Sequence, residues 1–527
     1  MPDLIIRNAR IWTGDGAHPW ATTALARDGR FVFVGDERGL NPPADTLLHD
    51  ARGRLVVPGF TDGHAHLLGT GMAMRSVDLK ATTSAEEAAR RVAERVAVTP
   101  PGQWVRGAGW DQNDWPEARF PHRRILDAVA PAHPVVLAHT SGHCTWVNSA
   151  ALCAAGVTSA TQSPAGGAID LDDDGEPNGI LRDAASRLIA DVVPPATQPE
   201  RIAATRDAIA HAHRLGVTGV HAMDVGRGEF QALHALHDSG ELRLRVHEFL
   251  SASRLDEWFE RGITTGDGDA MLRVGGVKFF SDGALGSLTA WMFEPYDDAP
   301  GSGFPLQPIA DLERDVRRCL EAGLAPAIHA IGDRANAEVL AILERCRAIA
   351  PQLLRRIEHA QLLAAGDAAR FGALGITASV QPIHATQDMA KVDRSWGARG
   401  SGGYAFASLL RGGANVAFGS DTPVETMDPI AGIHAAVTRR NGGGEPAAGW
   451  YPEQRISLDA AVAAYTSGCA RAVGLGATRG MIAVGHDADA VVLSHDVFAG
   501  TDPMRILDAH ADVTIVAGEV AWSRDHA

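Results

Sequence analysis

Residues 56–66 read Val-Val-Pro-Gly-Phe-Thr-Asp-Gly-His-Ala-His, and the way this run ends decides the fold. An apolar strand leads into His64-Ala65-His66. In extended backbone, side chains at i and i+2 point to the same side, so both imidazoles can converge on one ion. A second His-Ala-His stands at 211–213, inside the helical pattern "RIAATRDAIAHAHRLG" that stops at Gly216. In a helix, i and i+2 lie about 200° apart and cannot chelate together. That copy is expected on a surface helix, without metal. The tripeptide alone decides nothing, because 22 histidines in 527 residues give roughly one His-x-His by chance.

Beyond this run the same rhythm recurs. "VVPGFTD", "VTGVHAMD", "LRLRVHEFL", "RVGGVKFFSD", "APAIHAIGD", "RRIEHAQ", "ITASVQPIH" and "NVAFGSDTP" read as short apolar strands. Helical stretches such as "AEEAARRVAERV", "IADLERDVRRCLEAG" and "NAEVLAILERCRAIA" stand between them. The count predicts an α/β fold, a TIM-like (β/α)8 barrel with its chemistry at the C-terminal strand ends. Both chain ends read differently, as short alternating strands punctuated by turns: "DLIIRNARIWT", "ATTALARDGRFVFVGD" and "TLLHDARGRLVVPG" at one end, "DADAVVLSHD" and "DVTIVAGEVAWS" at the other. They predict one small β-sandwich domain built from both termini, 1–57 with 474–527, around a barrel at 58–473. About 150 residues separate His66 from the second strand, far beyond a usual βα loop, so a long insertion at roughly 70–215 follows the first barrel strand. A lid over the catalytic face and a subdomain that only packs on the barrel both stay open.

Composition narrows the function classes. Hydrophobic residues at 45% and charged residues at 21% fit an ordinary globular protein. The net charge of −16 disfavours a nucleic-acid partner, whose phosphates it would repel. Cysteines 144, 153, 319, 346 and 469 form no Cys-x-x-Cys pair, so neither a disulfide framework nor a zinc ribbon is expected, and a reducing compartment is favoured. The N-terminal stretch lacks a signal-peptide apolar region and no run approaches a membrane span, so the expectation is cytoplasmic, away from membranes. Assembly into a homo-oligomer stays open.

The strand ends carry the chemistry. Lys278, His329, His359 and Asp421 close the fourth, fifth, sixth and eighth strands. Each alone reads as a pocket histidine, an ion-pair lysine or a turn aspartate. Together with His64 and His66 they bring nitrogen and oxygen donors to one barrel mouth, a set that suits zinc or a similar divalent ion. His221 and His247 fall inside strands and are expected to be hydrogen-bonded barrel residues. Asp172-Asp173-Asp174-Gly175 lacks the spacing of a calcium loop and reads as an exposed Asp-Gly turn. The glycine clusters, "GAGW" among them, do not follow the strand-then-helix layout of a dinucleotide site.

The pattern Pro58-Gly59-Phe60-Thr61-Asp62-Gly63-His64-Ala65-His66, then Lys278, His329, His359 and Asp421, resembles the amidohydrolase superfamily of metal-dependent hydrolases over nearly the whole chain. "GWDQNDWP", "SGHCTWVNSAAL", "VKFFSDGALGS", "IHAIGDRA", "RIEHAQ", "SVQPIHATQD" and "FGSDTPVETMDP" are similar to the subgroup that contains N-substituted formamide deformylase. The resemblance implies two divalent ions, zinc by expectation, bridged by a carboxylated Lys278. It assigns His64, His66 and Asp421 to one ion of this binuclear centre, and His329 and His359 to the other. Asp421 takes a proton from the water between the ions and later passes it to the leaving nitrogen. The implied activity is hydrolysis of an amide-type C–N bond other than a peptide bond, in an N-substituted formamide or another small amide, by a metal-bound hydroxide. Trp110, His143 and His384 are candidate substrate-binding residues. A mononuclear aminohydrolase or deaminase is the alternative if Lys278 stays uncarboxylated, and a regulatory or binding protein without activity is the more distant one.

Overall fold

The computed structural model describes residues 3–38, 40, 43, 46–140 and 143–526. By internal contacts the chain divides into Met1–Gly69 with Thr205–Ala527, and Thr70–Ala204.

In the first unit, eight parallel strands follow one another around a single sheet in chain order: β1 (Phe60–Ala65), β2 (Val217–Val225), β3 (Arg245–Ser251), β4 (Leu272–Phe280), β5 (Pro326–Ala330), β6 (Arg356–His359), β7 (Thr377–Val380) and β8 (Asn415–Phe418). A parallel strand covered on both faces has no solvent side, which is why β3 and β5 are buried along their whole length and read as unbroken runs. The covering helices show the matching stripe. In Ile309–Glu321 the buried residues are Leu312, Val316, Cys319 and Leu320, one face at i, i+4, i+7 and i+8.

The sheet nearly closes between β8 and β1. Asp421 N donates to His64 O at 2.7 Å and His66 N donates to Thr422 O at 2.9 Å. Two glycines permit that approach: a Cβ on Gly419 would stand 2.4 Å from His64 N, and one on Gly63 would stand 2.7 Å from Phe418 O.

The run 56–62, read as one strand, is two. Leu55–Pro58 belongs to the sandwich, pairing antiparallel with Ala490–Leu493 and parallel with Arg10–Trp12. Gly59 makes the break, because a Cβ there would meet Thr218 Oγ1 at 2.3 Å, and the barrel strand starts at Phe60. The sandwich has a six-stranded sheet and a four-stranded sheet. Ile6, Ile11, Phe31 and Val56 from the start of the chain share one core with Val492 and Ile515 from its end. Asp28 and Gly29 both take positive φ, 48° and 75°, as a two-residue hairpin turn requires.

The Thr70–Ala204 unit has its own six-stranded sheet, running in the order 167–171, 177–183, 144–147, 135–139, 105–110 and 77–78. Its core gathers Val92, Trp110, Trp115, Leu137 and Trp146. Helix Ala85–Val96, placed by its sequence pattern among the barrel helices, belongs here, capped by Ser84 accepting from Glu87 N. Asp172 to Gly175 is the turn of a hairpin, closed by Gly175 N donating to Asp172 O at 2.9 Å. In "SGHCTWVNSAAL", Ser141 and Gly142 lie outside the described residues. All five cysteines are free thiols. Among the described residues no helix is long and apolar enough to cross a membrane.

Candidate metal centre

The C-terminal ends of the barrel strands line a cavity of about 360 Å³, with His64, His66, Lys278, His329, His359, His384 and Asp421 on its walls. His64 Nε2 and His66 Nε2 lie 3.4 Å and 3.2 Å from the same oxygen, Asp421 Oδ1. His384 Nε2 lies 4.0 Å from Asp421 Oδ2. Two donor groups result, each compact enough for one ion: His64, His66 and Asp421, and His359, His384 and Asp421. The aspartate belongs to both.

His329 stands apart from these two groups. Its ring lies 4.5 Å from that of His359, so it shares the cavity, but its Nε2 bonds the Gly283 carbonyl at 3.0 Å. His384, expected as a substrate contact, lines the cavity and also stands among the potential ligands. Trp110 does not stand as a substrate residue: it is completely buried in the core of the Thr70–Ala204 unit, its Nε1 donating to Leu137 O at 3.0 Å. Its neighbours there are Trp115, Trp146 and His139. His143 is exposed on the same unit, 2.9 Å from Asp183 Oδ1.

The second His-Ala-His lies in helix Gln198–Arg214, as its pattern requires. The expected surface position needs correcting for one residue: His213 is buried, and its Nε2 bonds Arg243 O at 3.1 Å. It is a hydrogen-bonded packing residue. His221 is one too, accepting from Arg356 at 2.8 Å.

Buried polar atoms test whether these residues suit a cation. His64 Nε2, His384 Nε2 and Lys278 Nζ are buried without a hydrogen-bond partner. Such atoms are costly to leave unmade unless something else takes them up. Lone pairs on Nε2 require the proton on Nδ1, and the structure supplies the partner: His64 Nδ1 lies 2.6 Å from Glu358 Oε2. His359 Nδ1 lies 2.9 Å from Gln381 Oε1. Burial, with Lys278 nearby, pushes His64 down to about 4, so the ring is neutral and free to ligate. Burial likewise pushes Lys278 down to about 8, which leaves an appreciable share of its amine unprotonated near neutral pH. Burial alone would raise Asp421, but the imidazoles around it hold its carboxyl well below the usual carboxylate range. The neutral imidazoles of His64 and His359, an ionised carboxylate and a nucleophilic amine form a donor set for a divalent cation.

The sequence reading missed the residues beneath this layer. Glu358 is fully buried and bonds both His64 and Arg356, whose guanidinium also donates to Gly63 O and Ser379 Oγ at 2.7 Å each. Asp62 accepts from His64 N, Ser420 N and Ser420 Oγ, tying β1 to the segment after β8. Asp282 accepts from the amides of Trp291, Ile331 and Gly332 beside His329. The available signal was Arg356 and Glu358 at i and i+2 of one short strand, a charged pair that must point to the same side. Strain marks the site as well: His359 (φ 72°) and Asp421 (φ 61°) are non-glycine residues in left-handed backbone, a geometry that clusters at functional sites.

The sequence profile described as "Amidohydrolase family" matches residues 48–521. The protein LONG AFTER FAR-RED 3 of Arabidopsis thaliana is 36% identical over 517 residues, covering 94% of this chain and 87% of that protein. N-substituted formamide deformylase of Arthrobacter pascens is 29% identical over 557 residues, covering 99% of each chain. An uncharacterized metal-dependent hydrolase of Pyrococcus horikoshii OT3, known from its crystal structure, superposes with a TM-score of 0.77 at 28% identity, covering 95% of this chain and 98% of that one.

Proposed function

Because the chain belongs to the amidohydrolase family, we propose that it hydrolyses an amide-type C–N bond in a small molecule, an N-substituted formamide or a related amide, at a binuclear metal centre. The observation that carries this reading is the convergence of His64 Nε2 and His66 Nε2 on one oxygen of Asp421 beside an unpartnered, buried Lys278 Nζ. His64, His66 and Asp421 would hold one divalent ion, zinc by donor type, and His359 with His329 or His384 the other. The unprotonated Lys278 amine would add to CO₂, its nitrogen bonding to carbon as one C=O π bond opens to a carboxylate oxygen and the N–H proton passes to solvent; the carbamate would offer the ions two oxygens that share one negative charge. Bound there, the ions supply Lewis acidity, which lowers the pKa of water and polarises the scissile carbonyl.

The chain's own groups do the rest. Asp421, ionised and placed against both donor groups, accepts the proton of the attacking water at a carboxylate oxygen and returns it to the departing nitrogen. Glu358 holds the His64 proton on Nδ1 throughout. Phe280, Leu285, Ile331 and Val424 give the cavity an apolar wall that would receive the substituent on the amide.

Metal content per chain, measured by plasma mass spectrometry on protein grown with zinc and bicarbonate, tests the centre. The expected result is close to two ions per chain, with amine and carboxylate released from a panel of formamides and amides. About one ion with release of ammonia would move the protein to the mononuclear deaminases. A folded protein that binds none would defeat the proposal.

A further inference from the structure

The barrel has a second cavity, of about 240 Å³, at the opposite ends of its strands. His247 and Phe249 of β3, Arg273 to Gly275 of β4, Ala325 just before β5 and Arg356 at the start of β6 line it. Lys278 lies five residues further along β4 than Arg273, so on the order of 16 Å of strand separates this cavity from the metal centre.

Its chemistry is one-sided. Among the described residues that line it there are two arginines and a histidine and no carboxylate, in a chain whose net charge is −16. Arg356 is saturated by Glu358, His221, Gly63 and Ser379 and its charge is balanced by that carboxylate. Arg273 differs: among the described residues it has no ion-pair partner. Its guanidinium fits against Gly266, where a Cβ would come within 3.2 Å of Nη2, so the loop leaves room for that group. His247 is 4% exposed, and its Nε2 is buried without a hydrogen-bond partner. Arg245, a buried arginine of β3, is paired with Asp489 at 2.7 and 2.9 Å. The cavity therefore sets an arginine with no ion-pair partner among the described residues beside an unmet polar atom, while Arg356 and Arg245 nearby are each paired with a carboxylate.

We infer that this cavity is a binding site for a compact oxyanion, held by the Arg273 guanidinium and His247 at the N-terminal end of the barrel. A carboxylate or a phosphate-type group fits the fork of an arginine, which can donate two parallel hydrogen bonds to either. The anion supplies the missing counter-charge and an acceptor within a site that aliphatic packing leaves open.

The test uses the full metal-loaded chain. Sodium phosphate and, separately, sodium acetate are titrated in at an ionic strength held constant with sodium chloride, while the thermal midpoint is followed. A saturable rise with at least one of them is expected, the unfolding constant falling about a hundredfold at a hundred times the dissociation constant. In Arg273→Gln the concentration needed should rise at least about tenfold, with turnover unchanged. In Asp421→Asn the rise should persist, because the anion is not at the metal centre. The anion that saturates at the lower concentration identifies the favoured group. No rise with either anion, an equal rise in Arg273→Gln, or loss of the rise in Asp421→Asn would each overturn the inference. If Arg273→Gln does not fold, crystals of the wild-type chain soaked in sodium selenate decide the matter: anomalous density beside Arg273 supports the site, and its absence there removes it.

Discussion

Replacing Glu358 by glutamine changes one atom's chemistry at nearly constant volume, and the expected effect can be worked from the contacts. Oε1 of Glu358 accepts from Arg356 Nε at 2.5 Å; Oε2 accepts from Arg356 Nη2 at 3.1 Å and from His64 Nδ1 at 2.6 Å. A glutamine offers one oxygen and one NH₂ that only donates. Turned one way, the NH₂ confronts Arg356 Nε; turned the other, it confronts His64 Nδ1 and Arg356 Nη2. Arg356 cannot give up a proton, but His64 can, so the lower-energy arrangement moves the His64 proton from Nδ1 to Nε2. That proton then blocks the atom aimed at Asp421. Loss of such an outer partner weakens metal binding by about 10–100-fold, equivalent to about 1.4–2.7 kcal/mol. The uncompensated Arg356, only 2% exposed, costs a further ~3–5 kcal/mol of fold stability. Zinc affinity by competition with a chromophoric chelator, with near-UV circular dichroism on the same samples, measures both. A folded Glu358→Gln protein that holds zinc within about twofold of wild type would refute the tautomer argument.

Four other outcomes are expected. Lys278→Ala should lose more than about a hundredfold in turnover and part of its bound metal, recovering partly with added acetate or propionate; full activity would exclude a bridging carbamate. His211→Ala should leave metal content and turnover unchanged and stability within about 0.5 kcal/mol, whereas metal loss would overturn the helix-geometry reading. For Asp489, burial alone would raise the carboxyl but Arg245 holds it below its ordinary value. Its stabilisation is therefore complete above about pH 3.9, the unfolded value, and fades as pH falls toward the lower folded one. Urea titrations should show Asp489→Asn about 3–5 kcal/mol less stable at pH 7, with the gap closing in acid; a gap that stays constant with pH contradicts the assignment. Gly419→Ala should lower both the thermal midpoint, by the equivalent of about 1–3 kcal/mol, and zinc affinity, and a variant that lowers neither would show that the seam can yield.

Most of the barrel strands were legible because they are apolar runs of a few residues bounded by glycine, proline or a polar turn, buried on both faces. The exception shows what such patterns lack. Nothing in Val56 to Asp62 says that its first half pairs with Ala490–Leu493 and its second with Val217–Val225. That is decided at Gly59 by the close approach of Thr218, which is remote in sequence. The donors at strand ends were legible for a related reason: strand polarity alone sends His64, His66, Lys278, His359 and Asp421 to one mouth. Ring orientation was not, and it separates His384 from His329, whose Nε2 is taken up by a carbonyl in the loop after β4. Trp110 was misread because its partners, Trp115 and Trp146, define a core that only the pairing of residues 105–110 with 135–139 assembles. Arg356 and Glu358 escaped notice because each is ordinary alone, and only their joint burial makes them informative.

That buried pair also bears on why the barrel interior is built as it is. Such interiors are commonly filled by branched aliphatic layers, yet here Arg356, Glu358, His221 and Ser379 occupy the layer below the donors. Stability does not explain the choice, since a buried ion pair roughly breaks even against well-packed apolar side chains. Orientation does. Arg356 anchors Glu358, Glu358 fixes the His64 ring, and the same guanidinium holds the Gly63 carbonyl on the strand that carries His64 and His66. Asp62 then ties that strand to Ser420, one residue before Asp421. The hydrogen bonds that close the barrel, Asp421 N to His64 O and His66 N to Thr422 O, join the ligand-bearing segments themselves. The closure of the fold and the geometry of the donors are thus one set of contacts, so a change that loosens the seam acts on both, whereas a purely apolar layer would close the barrel and leave the imidazoles free to turn.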